Sequence, residues 1–220
     1  MKKVYDTINQ YCVEHELLTN GDGIVIGLSG GMDSVCLLQV LAALRNEWQL
    51  RLVCVHVHHG IRGTAADEDA AFAQRLAAKY NISFRLYEMD IPQLAKEQGL
   101  SEEEAGRNYR YRCFEEVRKE LNFDKIAVAH HRDDQAETVL WQILRGSGLR
   151  GVCGMRAGRA NIIRPLLCLD RQQIEQIVRG NGDGWREDAT NREEKYTRNK
   201  IRNRVFPYIE QEIQPMARRH

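Results

Sequence analysis

The chain predicts an α/β fold: a doubly wound parallel sheet of about five strands, followed by a basic helical extension. Three observations predict it. Apolar runs of strand length recur at 24–28, 50–57, 82–88 and 125–129. Segments of helical periodicity separate them at 35–45, 64–79, 101–121 and 134–145, and that alternation builds βαβ units. A glycine turn, Ser29-Gly30-Gly31-Met32-Asp33-Ser34, joins the first apolar run to the first amphipathic segment. Ligand in such a sheet belongs at the carboxyl ends of the strands, near the point where strand order reverses.

A helix over 3–18 should cover one face of the sheet. Ile24-Val25-Ile26-Gly27-Leu28 follows as a buried strand, and Val35, Leu37, Leu38, Leu41 and Leu44 mark the buried stripe of the next helix. The second strand runs out in Val55-His56-Val57-His58-His59-Gly60-Ile61-Arg62, with His56 and His58 on one face and His59 on the other. Ser101 and Glu104 have capping-box spacing at the start of the 101–121 helix, where Arg107 and Arg110 lie one turn apart. Glu103 is placed to pair with Arg107, whereas Tyr109 and Tyr111 crowd Arg110 with aromatic surface. The fourth strand leads into Ala129-His130-His131-Arg132-Asp133-Asp134-Gln135-Ala136-Glu137-Thr138, which puts His130, Asp134 and Glu137 on one helical face. A second capping box, Asp134 to Glu137, accounts for the same spacing. Between 146 and 158 five glycines exclude a regular helix, and with Arg145, Arg150, Arg156 and Arg159 interleaved this reads as a loop that meets phosphates. A fifth strand is expected near 160–164, and the division falls into 1–185 and a basic helical extension over 186–220.

At 220 residues, 43% hydrophobic and 29% charged, the composition is that of a globular protein with a full core. No apolar run reaches the ~20 residues of a membrane helix, and the start lacks a signal-peptide core, so no membrane partner and a cytoplasmic location are expected. Six cysteines lie far apart without a Cys-x-x-Cys pair, as buried free thiols do rather than zinc or cluster ligands. The formal charge of +1 conceals a division: residues 1–139 carry 16 Lys+Arg against 22 Asp+Glu, and residues 140–220 carry 16 against 9. That arginine-rich last third, net +7, favours a nucleic-acid partner.

The turn at 29–34 carries the clearest chemistry. Its glycines let backbone approach an anion, and the helix after it begins with N–H groups that have no partner within the helix. The Walker lysine is absent, so Ser29, Ser34 and Asp33 supply the polar groups. A carboxylate repels phosphate unless a cation lies between, which points to Asp33 as a magnesium ligand and to a nucleotide, with a simple helix cap by Asp33 or Ser34 the alternative.

Ser-Gly-Gly-x-Asp-Ser is the signature of the PP-loop ATP pyrophosphatases, which the chain resembles. Later blocks narrow the resemblance to the tRNA(Ile)-lysidine synthetase family. They are His56 to Arg62, Glu104 to Tyr111, Ala129 to Thr138, Arg145 to Gly151, Trp185 to Asn191 and Tyr196 to Arg202, in the family's order from about 20 to about 208. His58 stands where the family usually has asparagine, and Gly106 where it has alanine. The resemblance implies a carbon–nitrogen ligase that uses ATP and Mg2+. Free lysine is joined to carbon 2 of the cytidine at the first position of the CAU anticodon of an isoleucine tRNA, through an adenylated cytidine, with pyrophosphate and AMP released. Ser29, Gly30, Gly31, Met32 and Ser34 would then hold phosphates, Asp33 the metal, and His56 and His130 would line the nucleotide cleft. Arg110, seconded by Arg107, would meet charge developing at the α-phosphate. Asp134 and Glu137 would bind either metal or the ammonium of lysine. Arg145, Arg150, Arg198 and Arg202 would complete the site or meet RNA phosphate. Because the chain ends at His220, soon after the last motif, the family's further tRNA-binding domains are expected to be absent. A PP-loop tRNA thiolase and a non-catalytic ATP-binding module are the alternatives.

Overall fold

The computed structural model describes residues 2–58, 64–148, 153–186 and 197–218, with backbone alone for 64–66 and 198. Its sheet has six strands among the described residues: β1 Gly23–Gly27, β2 Arg51–His58, β3 Ser83–Glu88, β4 Lys125–Ala127, β5 Gly158–Arg159 and β6 Ile162–Ile163. They lie in the order β3-β2-β1-β4-β6-β5, parallel except for the β5–β6 hairpin. The sequence direction of the order reverses about β1, so the crevice between the turns after β1 and β4 is the switch point.

Both faces are covered, which is why the strands read as continuous apolar runs. Ile24, Ile26, Cys54, Ala127 and Ile163 face a core filled from α1 (Lys2–Glu14), α2 (Met32–Leu44) and α3 (Thr64–Lys79). Alternate residues Val25, Val53, Val55, Ile126 and Val128 face the other core, with Tyr109, Cys113, Phe114 and Val117 of α5 (Glu102–Glu120). The central strands β1, β2 and β4 alternate between two dry surfaces, β1 the most enclosed of them, whereas β3 and β5 at the edges are mostly exposed.

Several boundaries differ from expectation for local reasons. The first helix stops at Glu14, two residues before Glu16 takes φ +52°. A helix absent from the sequence reading, α4 (Ile91–Gln98), is capped by Asp90, whose side chain accepts from the Gln93 N–H, and is ended by Gly99 at φ +66°. The fifth strand shrinks to Ile162–Ile163 because the chain has just turned at Ala160 (φ +52°) and meets Pro165 next. Helix α6 spans Arg132–Leu144, and α7 (Arg171–Gly180) opens on a capping box of Asp170 and Gln173. At the carboxyl end α8 (Thr197–Lys200) widens into a π-helical stretch over Ile201–Val205 before α9 (Phe206–Glu212). Among the cysteines, Cys153 is exposed, contrary to the reading of buried thiols; it lies in the glycine-rich segment, outside both cores.

Candidate active site

Leaving β1, the Leu28 N–H still donates to Val55 O at 2.9 Å, and the chain then turns through Gly30 at φ +88°. That left-handed conformation favours glycine, and a Cβ there would also meet Phe72 at 3.4 Å. The Ser34 hydroxyl holds the turn: it accepts from the N–H of Ser29 (3.2 Å) and Gly30 (3.1 Å) and donates to Gly31 O (2.8 Å). Gly31 is the N-cap of α2 and no side chain caps the helix. The positive end of α2 therefore faces the switch-point crevice, where an anion fits. Met32 is buried in the core and contributes packing. Asp33 reaches the crevice, and its Oδ1 is buried with no hydrogen-bond partner. An orphaned carboxylate oxygen beside an uncapped helix start suits a hard cation shared with phosphates.

Across the crevice, His131 rather than His130 meets Asp33. It is the N-cap of α6, 1% exposed, and its Nδ1 accepts from the Asp133 N–H at 3.3 Å. Its Nε2 lies 3.7 Å from Asp33 and 3.5 Å from Asp134. Burial opposes charge on this ring, but the carboxylates of Asp33, Asp134 and Asp133 outweigh it and raise the pKa. The capping box also differs from the one expected: Asp134 reaches back to the His131 N–H at 3.0 Å, so the box is His131 to Asp134, not Asp134 to Glu137. His130 is half-buried at the exit of β4.

Asp134 and Glu137 do share a face, and both are buried. Among the described residues, Arg202 of the π-helical stretch bridges the two. Its Nε donates to Glu137 Oε1 at 2.6 Å, and its Nη2 donates to Glu137 Oε2 at 3.0 Å and Asp134 Oδ1 at 2.9 Å. Burial lowers the pKa of Arg202, and Glu137, Asp134 and Asp33 more than reverse it. Asp33, His131, Asp134, Glu137 and Arg202 thus form one charge cluster built from three separate segments.

Other predicted residues fall elsewhere. His56 is buried with Nδ1 2.8 Å from Leu28 O, and burial lowers its pKa; it ties β2 to the turn instead of lining a cleft. His58 lies 3.3 Å from Asp67. Arg107 stacks over Tyr111 at 5.0 Å and forms no ion pair with Glu103. Arg110 is exposed on α5, near enough for its charge to act on His56. Arg145 caps α6 over Trp141 at 5.4 Å, away from the charge cluster. Arg150, the Arg198 side chain and the motif stretches 59–63 and 187–196 lie outside the described residues.

One contact to the turn had no role in the sequence reading. The Arg186 N–H donates to Gly30 O at 2.9 Å, and its guanidinium pairs with Asp69 (2.8 Å) and Glu68 (2.7 Å) of α3. Just before it, Asp183 accepts from Gln39 (2.7 Å), Tyr80 (2.5 Å) and Lys79. The segment after α7 is therefore pinned against α2 and α3 and returns to the phosphate turn. Only the motif beginning Trp185-Arg186 could have signalled it.

The model of the PP-loop domain matches residues 2–209. The tRNA(Ile)-lysidine synthase of Caldanaerobacter subterraneus is 48% identical over 211 residues, 96% of this chain and 44% of that protein. That of Clostridium perfringens is 43% identical over 215 residues, 97% of this chain and 45% of that protein. The chain thus spans less than half the length of these curated relatives. Among solved structures, the U34-tRNA thiolase NcsA from Methanococcus maripaludis with its [4Fe-4S] cluster shares the fold, with a TM-score of 0.77 at 17% identity over 99% of this chain and 74% of that one. No helix among the described residues is long and apolar enough to cross a membrane. With its signature turn seated between β1 and α2 at the switch point, and the domain match running nearly end to end, the chain belongs to the PP-loop domain family.

Proposed function

We propose that the chain is the catalytic core of a tRNA(Ile)-lysidine synthase: it binds ATP, adenylates O2 of the cytidine at the first position of a CAU anticodon, and joins free lysine to carbon 2. In this reading residues 1–185 are the ATP-pyrophosphatase unit and 186–220 the basic extension. The observation that carries it is Asp33, with its orphaned oxygen at the uncapped start of α2, facing the buried acids of α6 across the switch point. The similarity to lysidine synthases over 96% of the chain supports the substrate class.

The turn at Ser29–Ser34 would receive the β- and γ-phosphates on backbone N–H groups. Asp33 fits a magnesium ion, which keeps one or two carboxylates alongside phosphate oxygens and would offset their charge. Arg110 would meet the α-phosphate as negative charge builds there. The ε-amine then attacks carbon 2, loses a proton, and the former O2 leaves as part of AMP. An ammonium with three donors matches Asp134 and Glu137, so lysine competes with Arg202 for them. The displaced guanidinium becomes available to phosphate.

Pyrophosphate release with isoleucine tRNA, with and without lysine, tests the reading. Asp33→Asn should abolish release while its far-ultraviolet circular dichroism and melting stay those of the parent; near-normal release would remove the metal role. Glu137→Gln should raise the Michaelis constant for lysine, and an unchanged constant at normal turnover would take lysine recognition away from that residue. Pyrophosphate release that ignores lysine but yields thiolated tRNA with a sulfur donor would favour the thiolase alternative.

A further inference from the structure

We infer that Arg164, with Arg107 beside it, forms a second anion site at the carboxyl end of β6, one that takes a backbone phosphate of RNA. The inference rests on the proposed RNA substrate. Arg164 follows β6 directly and is 8% exposed. Its Nη1 donates to Arg156 O at 2.9 Å, while its Nε is buried with no hydrogen-bond partner. No carboxylate among the described residues pairs with it, and of the ionisable groups Tyr111, Arg107, Arg159 and Tyr11 act on it most strongly. Arg107 has its guanidinium over Tyr111 at 5.0 Å and no ion pair, and Arg159 is exposed on the β5 hairpin.

A buried guanidinium is normally matched by an acid, because taking an unpaired charge out of water is strongly unfavourable. Every other buried or half-buried arginine of the candidate site has its match: Arg202 holds Glu137 and Asp134, and Arg186 holds Asp69 and Glu68. At Arg164 the matching charge is not supplied by the described residues. Its planar fork, together with Arg107, suits the bidentate contact that arginine makes with phosphate.

Position separates this site from the nucleotide. In the order β1-β4-β6, Arg164 stands two strands from the turn after β1, about 10 Å sideways at ordinary strand spacing. The acids of α6 follow β4, between the two. A polynucleotide whose target base reaches those acids would carry its neighbouring phosphates past β6, onto the side where the Arg156–Arg159 hairpin begins.

The experiment is fluorescence anisotropy of the chain with an anticodon stem–loop RNA bearing CAU, over a series of salt concentrations, with ATP affinity measured separately without RNA. Arg107→Gln changes an exposed residue and tests the site without disturbing the core. Arg164→Lys keeps the charge and loses the fork. Each variant should weaken RNA binding several-fold; Arg107→Gln, which removes a charge, should also lower the salt slope by about one, whereas Arg164→Lys, which keeps it, should hold the slope near the parent's. For Arg164→Lys, ATP affinity should stay within about twofold. Parent-like RNA affinity in both variants, with the parent binding RNA, would overturn the site and leave the proposed function standing. A fall in the ATP affinity of Arg164→Lys with an unchanged RNA affinity would assign the phosphate to the nucleotide and overturn the RNA proposal. A parent chain that does not bind the stem–loop even at low salt would remove both the site and the reading on which it rests.

Discussion

The phosphate turn and the acid pocket face each other across one crevice but are held in different ways. The turn is held chiefly by local bonds: the Ser34 hydroxyl bonds the backbone of residues three to five positions away, to which the Arg186 N–H adds one bond from a distant segment. The pocket depends on partners far along the chain, since Arg202 is 65 residues from Glu137 and 68 from Asp134. The contrast teaches where each half of the site gets its order. Local backbone geometry prepares the turn as soon as β1 and α2 meet. The pocket exists only once the carboxyl-terminal helix has docked, and its guanidinium holds the ground that a substrate cation would need.

Breaking the long-range half should have the largest effect. Arg202→Met removes the guanidinium that bridges two buried carboxylates, a loss on the order of 3–5 kcal/mol for the whole fold. Thermal melting reads it as a large drop in Tm, and a variant that melts like the parent would show that the docked helix is not what holds the pocket. Gly30→Ala probes the local half, where a side chain at φ +88° and a 3.4 Å approach to Phe72 should cost about 1–3 kcal/mol and impair nucleotide binding. Ser34→Ala removes the acceptor for two backbone N–H groups, an expected loss of about 1 kcal/mol in urea unfolding, with Arg202's contacts intact. Equal losses from Ser34→Ala and Arg202→Met would erase the distinction between the halves.

The smallest effect serves as a control outside the crevice. Glu115 pairs with Arg118 and accepts from Asn161 at 2.6 Å, and those bonds hold its pKa down to about 2. Because the folded value lies below the ordinary one, the stabilisation is fully present above the ordinary carboxylate range and is lost as pH falls through that range toward about 2. Glu115 is about a third exposed, so solvent screening keeps the contribution to about 1 kcal/mol or less. The stability gap between the parent and Glu115→Gln should close on acidification, and a gap that is constant with pH would count against the pairing.

Much of the fold was legible because burial on two faces leaves a strong periodic trace. The helix at 64–79 and the strands around β1 and β2 fell where their apolar patterns put them. The eight residues of α4 escaped because two turns are too short for a period to emerge, although Asp90, Pro92 and Gly99 mark both ends. At the site, Asp33, Asp134 and Glu137 could be chosen from their spacing. The choice between His130 and His131 could not, because it turns on which residue leaves the strand with extended backbone and folds its ring back as a cap.

The phosphate turn, the strand–helix alternation and the side of the sheet on which ligands gather follow from the order of residues alone. Each depends on residues close together in the chain, where steric and hydrogen-bond preferences act directly. Only the tertiary structure decided which charges pair. Arg202 has two acidic partners from another segment, Arg186 has two from α3, and Arg164 has none among the described residues. The order of residues does not reveal these pairings, since Coulomb interactions between distant segments depend on distance and burial that only the packed chain defines.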